Sequence, residues 1–171
     1  MGRLVLSIIM FFSLFSVYGQ TQDSRRGISI YGSTNNFLSI DLFAHENNSR
    51  ISFGYSHQFD GQKNKVKKNQ LESDGRTEIG RGDYIWLIDL GYGRMFFERL
   101  ILIGQIGIGG KKYFTNFEDE KYTDNGYSIV TSSKATIGAG LQLGYLMKFG
   151  LEPFVGFHSL RKMDIGLRMS W

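Results

Sequence analysis

Bulky apolar residues recur at every second position through most of this sequence, a period that belongs to strands rather than helices. FLSIDLF places Leu38, Ile40 and Leu42 on one side and Ser39 and Asp41 on the other. RISFGYSHQF sets Ile51, Phe53 and Tyr55 against Ser52, Gly54 and Ser56. DYIWLIDLGYGR sets Tyr84, Trp86, Ile88, Leu90 and Tyr92 against Asp89, Gly91 and Gly93. TSSKATIGAGLQLGYL sets Ile137, Ala139, Leu141, Leu143 and Tyr145 against Lys134, Thr136, Gly138, Gly140, Gln142 and Gly144. With GISIYGS, LILIGQIGIGG, LEPFVGFH and DIGLRMSW, the pattern predicts eight strands. Most are near the roughly 9–11 residues that a tilted strand needs to cross a bilayer.

The connections alternate. Short links are expected near Glu46–Ser49, Phe97–Arg99 and Met147–Gly150, and long polar loops at 60–82 and 111–126. Thr34–Asn36 and Leu160–Met163 are short but share the end of the long loops. This is the rhythm of an up-and-down antiparallel barrel.

The two faces then decide the solvent. Large apolar residues fall on one face; Gly54, Gly91, Gly107, Gly138, Gly140, Gly144 and Gly166 fall on the other. An eight-stranded barrel is only just wide enough to hold side chains, so its interior has no room for Trp86, Leu141, Leu143, Leu167, Trp171 and their neighbours. Turned inside out, the large groups face lipid and small and polar groups fill the lumen. A closed ring is also the only strand arrangement that pairs every backbone group in hydrocarbon. The fold class expected is all-β: an eight-stranded antiparallel up-and-down transmembrane β-barrel.

Composition agrees. Glycine is abundant (22 residues), aromatics make up 15%, and there is one proline, which suits an all-β protein whose strands rarely tolerate it. The chain opens with MGRLVLSIIMFFSLFSVYGQ: a basic Arg3, an apolar run, then Val17 and Gly19 at −3 and −1 of a cut before Gln20. This is the pattern of a signal peptide over 1–19, leaving one barrel domain over 20–171. No cysteine is present, which excludes disulfides, Cys-based metal sites and a lipid-modified thiol anchor. A net charge of +4 is too mild to imply nucleic acid as a partner.

The last strand carries a further signal. Ile165, Leu167, Met169 and the terminal Trp171 alternate with Gly166 and Arg168. In this, and in the strand pattern of residues 20–171, the chain resembles the small eight-stranded outer-membrane β-barrels of bacteria, the OmpA and OmpX type. The resemblance implies export to the outer membrane, contact with outer-membrane lipid and lipopolysaccharide, and recognition of the last strand by the barrel-assembly machinery. It implies a monomer. Trp86, Tyr84, Tyr92, Tyr145 and Trp171 are expected to supply aromatic girdles at the interfaces.

Candidate chemistry is sparse. Asp41, Asp89, Lys134, Glu152 and Arg168 have inward parity and are expected to form a polar network in the lumen, with Glu152 and Arg168 on neighbouring strands as an ion pair. Lys63, Lys65, Lys67 and Lys68 make a basic loop able to meet phosphates of a polyanion, diluted by Glu72, Asp74 and Glu78. His158 and Ser159 are adjacent and therefore point to opposite sides of a strand, which disfavours a hydrolytic pair. GQIGIGGKK departs from the phosphate-loop pattern, Arg81–Gly82–Asp83 is a three-residue match of the kind chance supplies, and no His/Asp/Glu cluster has metal-ligand spacing. Pro153 is expected near the short-turn rim, on the lipid side. No catalytic residue, cofactor or metal follows. The function expected is a non-enzymatic structural or surface-interaction role. A narrow pore for small solutes is the alternative, and a lipid-modifying enzyme is a third.

Overall fold

The computed structural model describes residues 24–59, 64–65, 77–120 and 126–171. The signal-peptide segment and Lys63, Lys67 and Lys68 lie outside the described residues, and Lys65 is described by its backbone alone.

Among the described residues nine strands follow in order: β1 (Arg25–Ser33), β2 (Phe37–Glu46), β3 (Ser49–Gln58), β4 (Asn64–Lys65), β5 (Glu78–Phe96), β6 (Leu100–Glu118), β7 (Gly126–Tyr145), β8 (Leu151–His158) and β9 (Lys162–Ser170). Leaving out the two-residue β4, each strand pairs antiparallel with the next, β7 with β8 and β8 with β9. β9 then pairs antiparallel with β1, Met169 opposite Ile28 and Leu167 opposite Ile30. The ring is therefore closed, with eight strands and no open seam. Arg26 and Trp171 exchange two backbone hydrogen bonds, of 3.2 and 2.9 Å, where the first and last strands meet.

The surface is inside out, as the alternation predicts. Ile30, Ile40, Ile51, Leu90, Ile106, Ile137, Leu141, Val155, Leu167 and Trp171 are exposed, while Ser29, Ser39, Asp41, Ser56, Asp89, Gln105 and Arg168 are buried. An exposed apolar belt around a closed ring is the surface that hydrocarbon requires. Pro153 is exposed at the short-turn end, one residue beyond the last β7–β8 partners, Gly144 and Phe154, where its missing N–H costs no ladder bond. The short turns bend through left-handed residues: Asn47 (φ 52°) after β2, and Phe97 and Glu98 (φ 50° and 61°) after β5, where Arg99 N–H donates to the Phe96 carbonyl at 3.2 Å.

The structure corrects three expectations. The interior is not filled by small and polar groups alone: Tyr31, Phe37, Phe43, Leu87, Ile101, Ile103 and Phe154 are also buried there. Glycines on facing strands make the room, since a Cβ on Gly27 would lie 2.3 Å from the Phe43 ring and one on Gly166 2.8 Å from that of Phe154. Second, the long loops are shorter than expected, because β5 begins at Glu78, β6 runs to Glu118 and β7 begins at Gly126. Third, Tyr84 is not a girdle residue. It is 2% exposed, its ring 5.3 Å from that of His57 and 6.3 Å from that of Phe114.

The strand extensions have one architectural consequence. β3 pairs with β5 only as far as His57–Trp86, and β8 pairs with β7 only over Gly140–Gly144. The outer parts of β5, β6 and β7 therefore continue past the ring as a three-stranded sheet, with β4 pairing parallel to β7 at Tyr127 and Ser128.

Candidate functional site: the lumen networks and the protruding sheet

Burying a charge without a partner costs several kcal/mol, so the lumen charges show what each half of the barrel is built to hold. In the half nearer the long loops, the organising residue is Arg161. It follows β8, in the turn Ser159–Arg161, and its side chain returns into the lumen with no exposed surface. Its Nε donates to both oxygens of Asp164 (3.2 and 3.1 Å). Its Nη1 donates to both oxygens of Asp89 (2.9 Å each) and to Ser56 Oγ (3.0 Å), and its Nη2 to Gln105 Oε1 (2.9 Å). Ser56 also donates to Asp89 and accepts from Ser39 (2.7 Å). Gln105 Nε2 donates to Asp41 (3.4 Å), which accepts from Tyr31 Oη as well (3.2 Å). The guanidinium lies 5.2 Å from the centre of the Tyr31 ring. One arginine thus pairs with two aspartates, and a third, Asp41, joins the cluster through Gln105 and Tyr31.

The half nearer the short turns inverts that ratio. Glu152 lies between two arginines, accepting from Arg50 Nη1 at 2.6 Å and from Arg168 Nη1. Arg168 also donates to Gln142. Each arginine covers an aromatic face, Arg50 over Phe43 at 4.4 Å and Arg168 over Phe154 at 3.7 Å. All three charged groups are at most 2% exposed.

Of the residues expected in a lumen network, Asp41 and Asp89 come together in the first cluster and Glu152 and Arg168 in the second, the latter as directly opposed cross-strand partners. Lys134 is a correction. It is exposed, stands opposite Lys111 on the protruding sheet, and lies 5.7 Å from the centre of the Tyr113 ring. Its parity is inward, but there is no lumen beyond the end of the ring. Arg50, Asp164, Gln105 and Arg161 were missed. The first three have inward parity and were legible from it; Arg161 sits in a turn, where parity says nothing.

His158 and Ser159 do not form a site. His158 is wholly buried, its Nδ1 accepting from the Leu160 and Arg161 amides at 3.3 and 3.4 Å. Ser159 is exposed, and its Oγ accepts from the Ala139 amide. Among the described residues, no group of three or more His, Asp or Glu has the geometry to hold a metal ion.

Outside the ring, the protruding sheet carries a different chemistry. Val130 to Ala135 of β7 are all exposed, and Ile129–Gly138 has no strand partner on the side away from β6 among the described residues. Lys111 pairs with Asp83 at 2.8 Å, which holds its ammonium above the ordinary lysine range. Arg81 pairs with Glu78 at 2.6 Å, and this hydrogen bond lowers the Glu78 carboxyl below its usual value.

No protein-family model matches the chain, and no curated protein is significantly similar to it in sequence. Among solved structures it is similar to Ail, the attachment invasion locus protein of Yersinia pestis, at 14% identity over 86% of this chain and 92% of that one, TM-score 0.45. It is similar to the same protein in complex with the heparin analogue sucrose octasulfate, at 11% identity with the same coverage, TM-score 0.46. A third similarity is to Neisserial surface protein A (NspA), at 11% identity over 86% of this chain and 94% of that one, TM-score 0.40. Ring closure and the inside-out surface rest on the strand pairing and exposure described above, not on these likenesses.

Proposed function

We propose that this chain is a small barrel of the bacterial outer membrane that does not conduct and is not an enzyme, and that it acts through the sheet and loops beyond its ring. The observation that carries the reading is the filled lumen. Arg161 ties β3, β5, β6 and β9 together across one half, and Glu152 ties β3, β8 and β9 across the other. A solute would have to break both clusters to pass.

The protruding sheet supplies the contact surface. An unpaired strand edge offers its N–H and C=O groups to another extended chain. The loop lysines of the sequence, Lys63, Lys65, Lys67 and Lys68, with Lys112 and Lys134 of the sheet, are the cations in this reading that would meet phosphate groups of lipopolysaccharide, although Glu78, Asp83 and Glu118 of the sheet offset them. Outer-membrane lipid around the belt and the barrel-assembly machinery at the last strand complete the partners of this reading.

Two measurements test it. The purified protein should migrate faster unheated than boiled and should fractionate with the outer membrane; recovery in a soluble fraction would contradict the location. Reconstituted in planar bilayers, it should show no discrete conductance steps. Steps of reproducible size would replace this reading with a narrow pore. An altered lipid A profile in cells carrying the protein would favour the enzyme instead.

A further inference from the structure

The short-turn mouth of the barrel is built unlike the rest of the lumen. Arg25 of β1 is the direct partner of His45 of β2, and His45 is the direct partner of Arg50 of β3. Direct partners share a face, so three basic side chains stand abreast on the inner wall, with Cβ atoms about 5 Å apart. Like charges in that relation repel. Exposure rises along the row, from Arg50 (2%) through His45 (6%) to the exposed Arg25. Arg25 and His45 line a cavity of about 420 Å³ together with Asn47, Asn48 and Glu98.

Two buried polar atoms in this row have no hydrogen-bond partner among the described residues: His45 Nδ1 and Arg50 Nε. Arg50 spends its Nη1 on Glu152, but that carboxylate is already shared with Arg168. Two buried arginines and one buried glutamate leave this half of the lumen positive, and low-dielectric walls focus such a field at the opening.

We infer that the short-turn mouth binds an oxyanion, a phosphate or a carboxylate, held by Arg25 and His45 with Arg50 behind them. Arg25 supplies a forked donor suited to two oxygens of one group. His45 Nδ1 donates a third hydrogen bond when it carries its proton. Asn47 and Asn48 offer neutral donors at the edge. Glu98 is the acidic residue of the cavity and opposes the anion.

The chain has three histidines, which makes the test direct. Their side-chain signals are followed by NMR in phosphate-free maltoside micelles while inorganic phosphate, or in a separate arm acetate, is added. A saturable shift at His45, with the outward-facing His57 and the fully buried His158 unmoved, is the expected result. Arg25→Gln should weaken that binding about tenfold, the loss of a charge-assisted hydrogen bond. Glu98→Gln should tighten it, and Arg94→Gln, on the outer wall, should leave it unchanged. The opposite signs of the Arg25 and Glu98 variants keep the test valid if either folds poorly. In phospholipid nanodiscs, a His45 signal already shifted before any addition assigns the anion to a lipid headgroup; a shift that needs added phosphate assigns it to a free one. A His45 signal that never saturates with either anion, or that saturates equally in Arg25→Gln, overturns the inference.

Discussion

The half of the lumen nearer the long loops sets one arginine among three aspartates, whereas the half nearer the short turns sets two arginines around one glutamate. Both halves are closed by charge-assisted hydrogen bonds among groups at most 3% exposed. They differ in where the charges come from. Glu152, Arg50 and Arg168 stand on strands, so strand parity and register place them. Arg161 comes from a turn and reaches its partners only because the turn folds inward, with its amide held on His158 Nδ1. The lesson is that one narrow barrel can be sealed twice, by an arginine among aspartates in one half and a glutamate between arginines in the other.

The largest effect that separates the halves is expected from removing the shared carboxylate. Glu152→Gln leaves two buried arginines without a counter-ion and should cost about 3–5 kcal/mol, read by urea unfolding in lipid vesicles. Arg161→Met leaves three aspartates crowded together and should cost a similar amount at neutral pH. Acidification then distinguishes them. Carboxylates take up protons while arginine does not give one up, so Arg161→Met should regain stability as pH falls relative to the parent and Glu152→Gln should not. Equal pH profiles would mean that the two clusters are not electrically opposite.

Next in size is a charge on the outer wall. Leu141→Arg places a guanidinium in the middle of the exposed belt and should cost about 2–4 kcal/mol in vesicles. Smaller again is the contrast between inward and outward glycines. A Cβ on Gly144 would lie 2.1 Å from Glu152 Oε1 and 3.0 Å from Arg168 Nη1, so Gly144→Ala should cost about 1–3 kcal/mol. A Cβ on the outward Gly104 meets nothing closer than 3.9 Å, and Gly104→Ala should stay within about 0.5 kcal/mol of the parent. Smallest is Glu78→Gln on the protruding sheet, where the pair with Arg81 is exposed to water; no change in the unfolding midpoint is expected.

Much of this architecture was legible in the sequence, and the boundary of what was legible has a physical cause. In the belt, Leu38, Ile40 and Leu42 alternate with Ser39 and Asp41 because hydrocarbon and lumen demand opposite chemistry at successive positions. That demand stops where the ring stops. Lys111 to Glu118 and Glu78 to Gly82 are strands with water on at least one face, and nothing forces an apolar period on them, so they read as loops. Lys134 failed for the same reason: its parity was right, but parity names a lumen only where a ring surrounds it. Glu152 and Arg168 were found as a pair because they face each other across one ladder. Arg161 was invisible because a turn residue's direction is set by the turn's packing and not by any period. The large inward residues, Phe43 and Phe154 above all, were missed because the glycines that admit them, Gly27 and Gly166, lie on other strands.

Within the ring, successive residues of each strand face lipid and lumen alternately. The chain has no cysteine, so a single introduced thiol reports one site. Spin labels at Leu141→Cys, Gln142→Cys and Leu143→Cys, measured in vesicles for collision with dissolved oxygen, test it most directly. Frequent collisions at 141 and 143 with few at 142 are predicted. A flat profile, or one with 142 the most accessible, would mean that these side chains do not alternate between lipid and lumen.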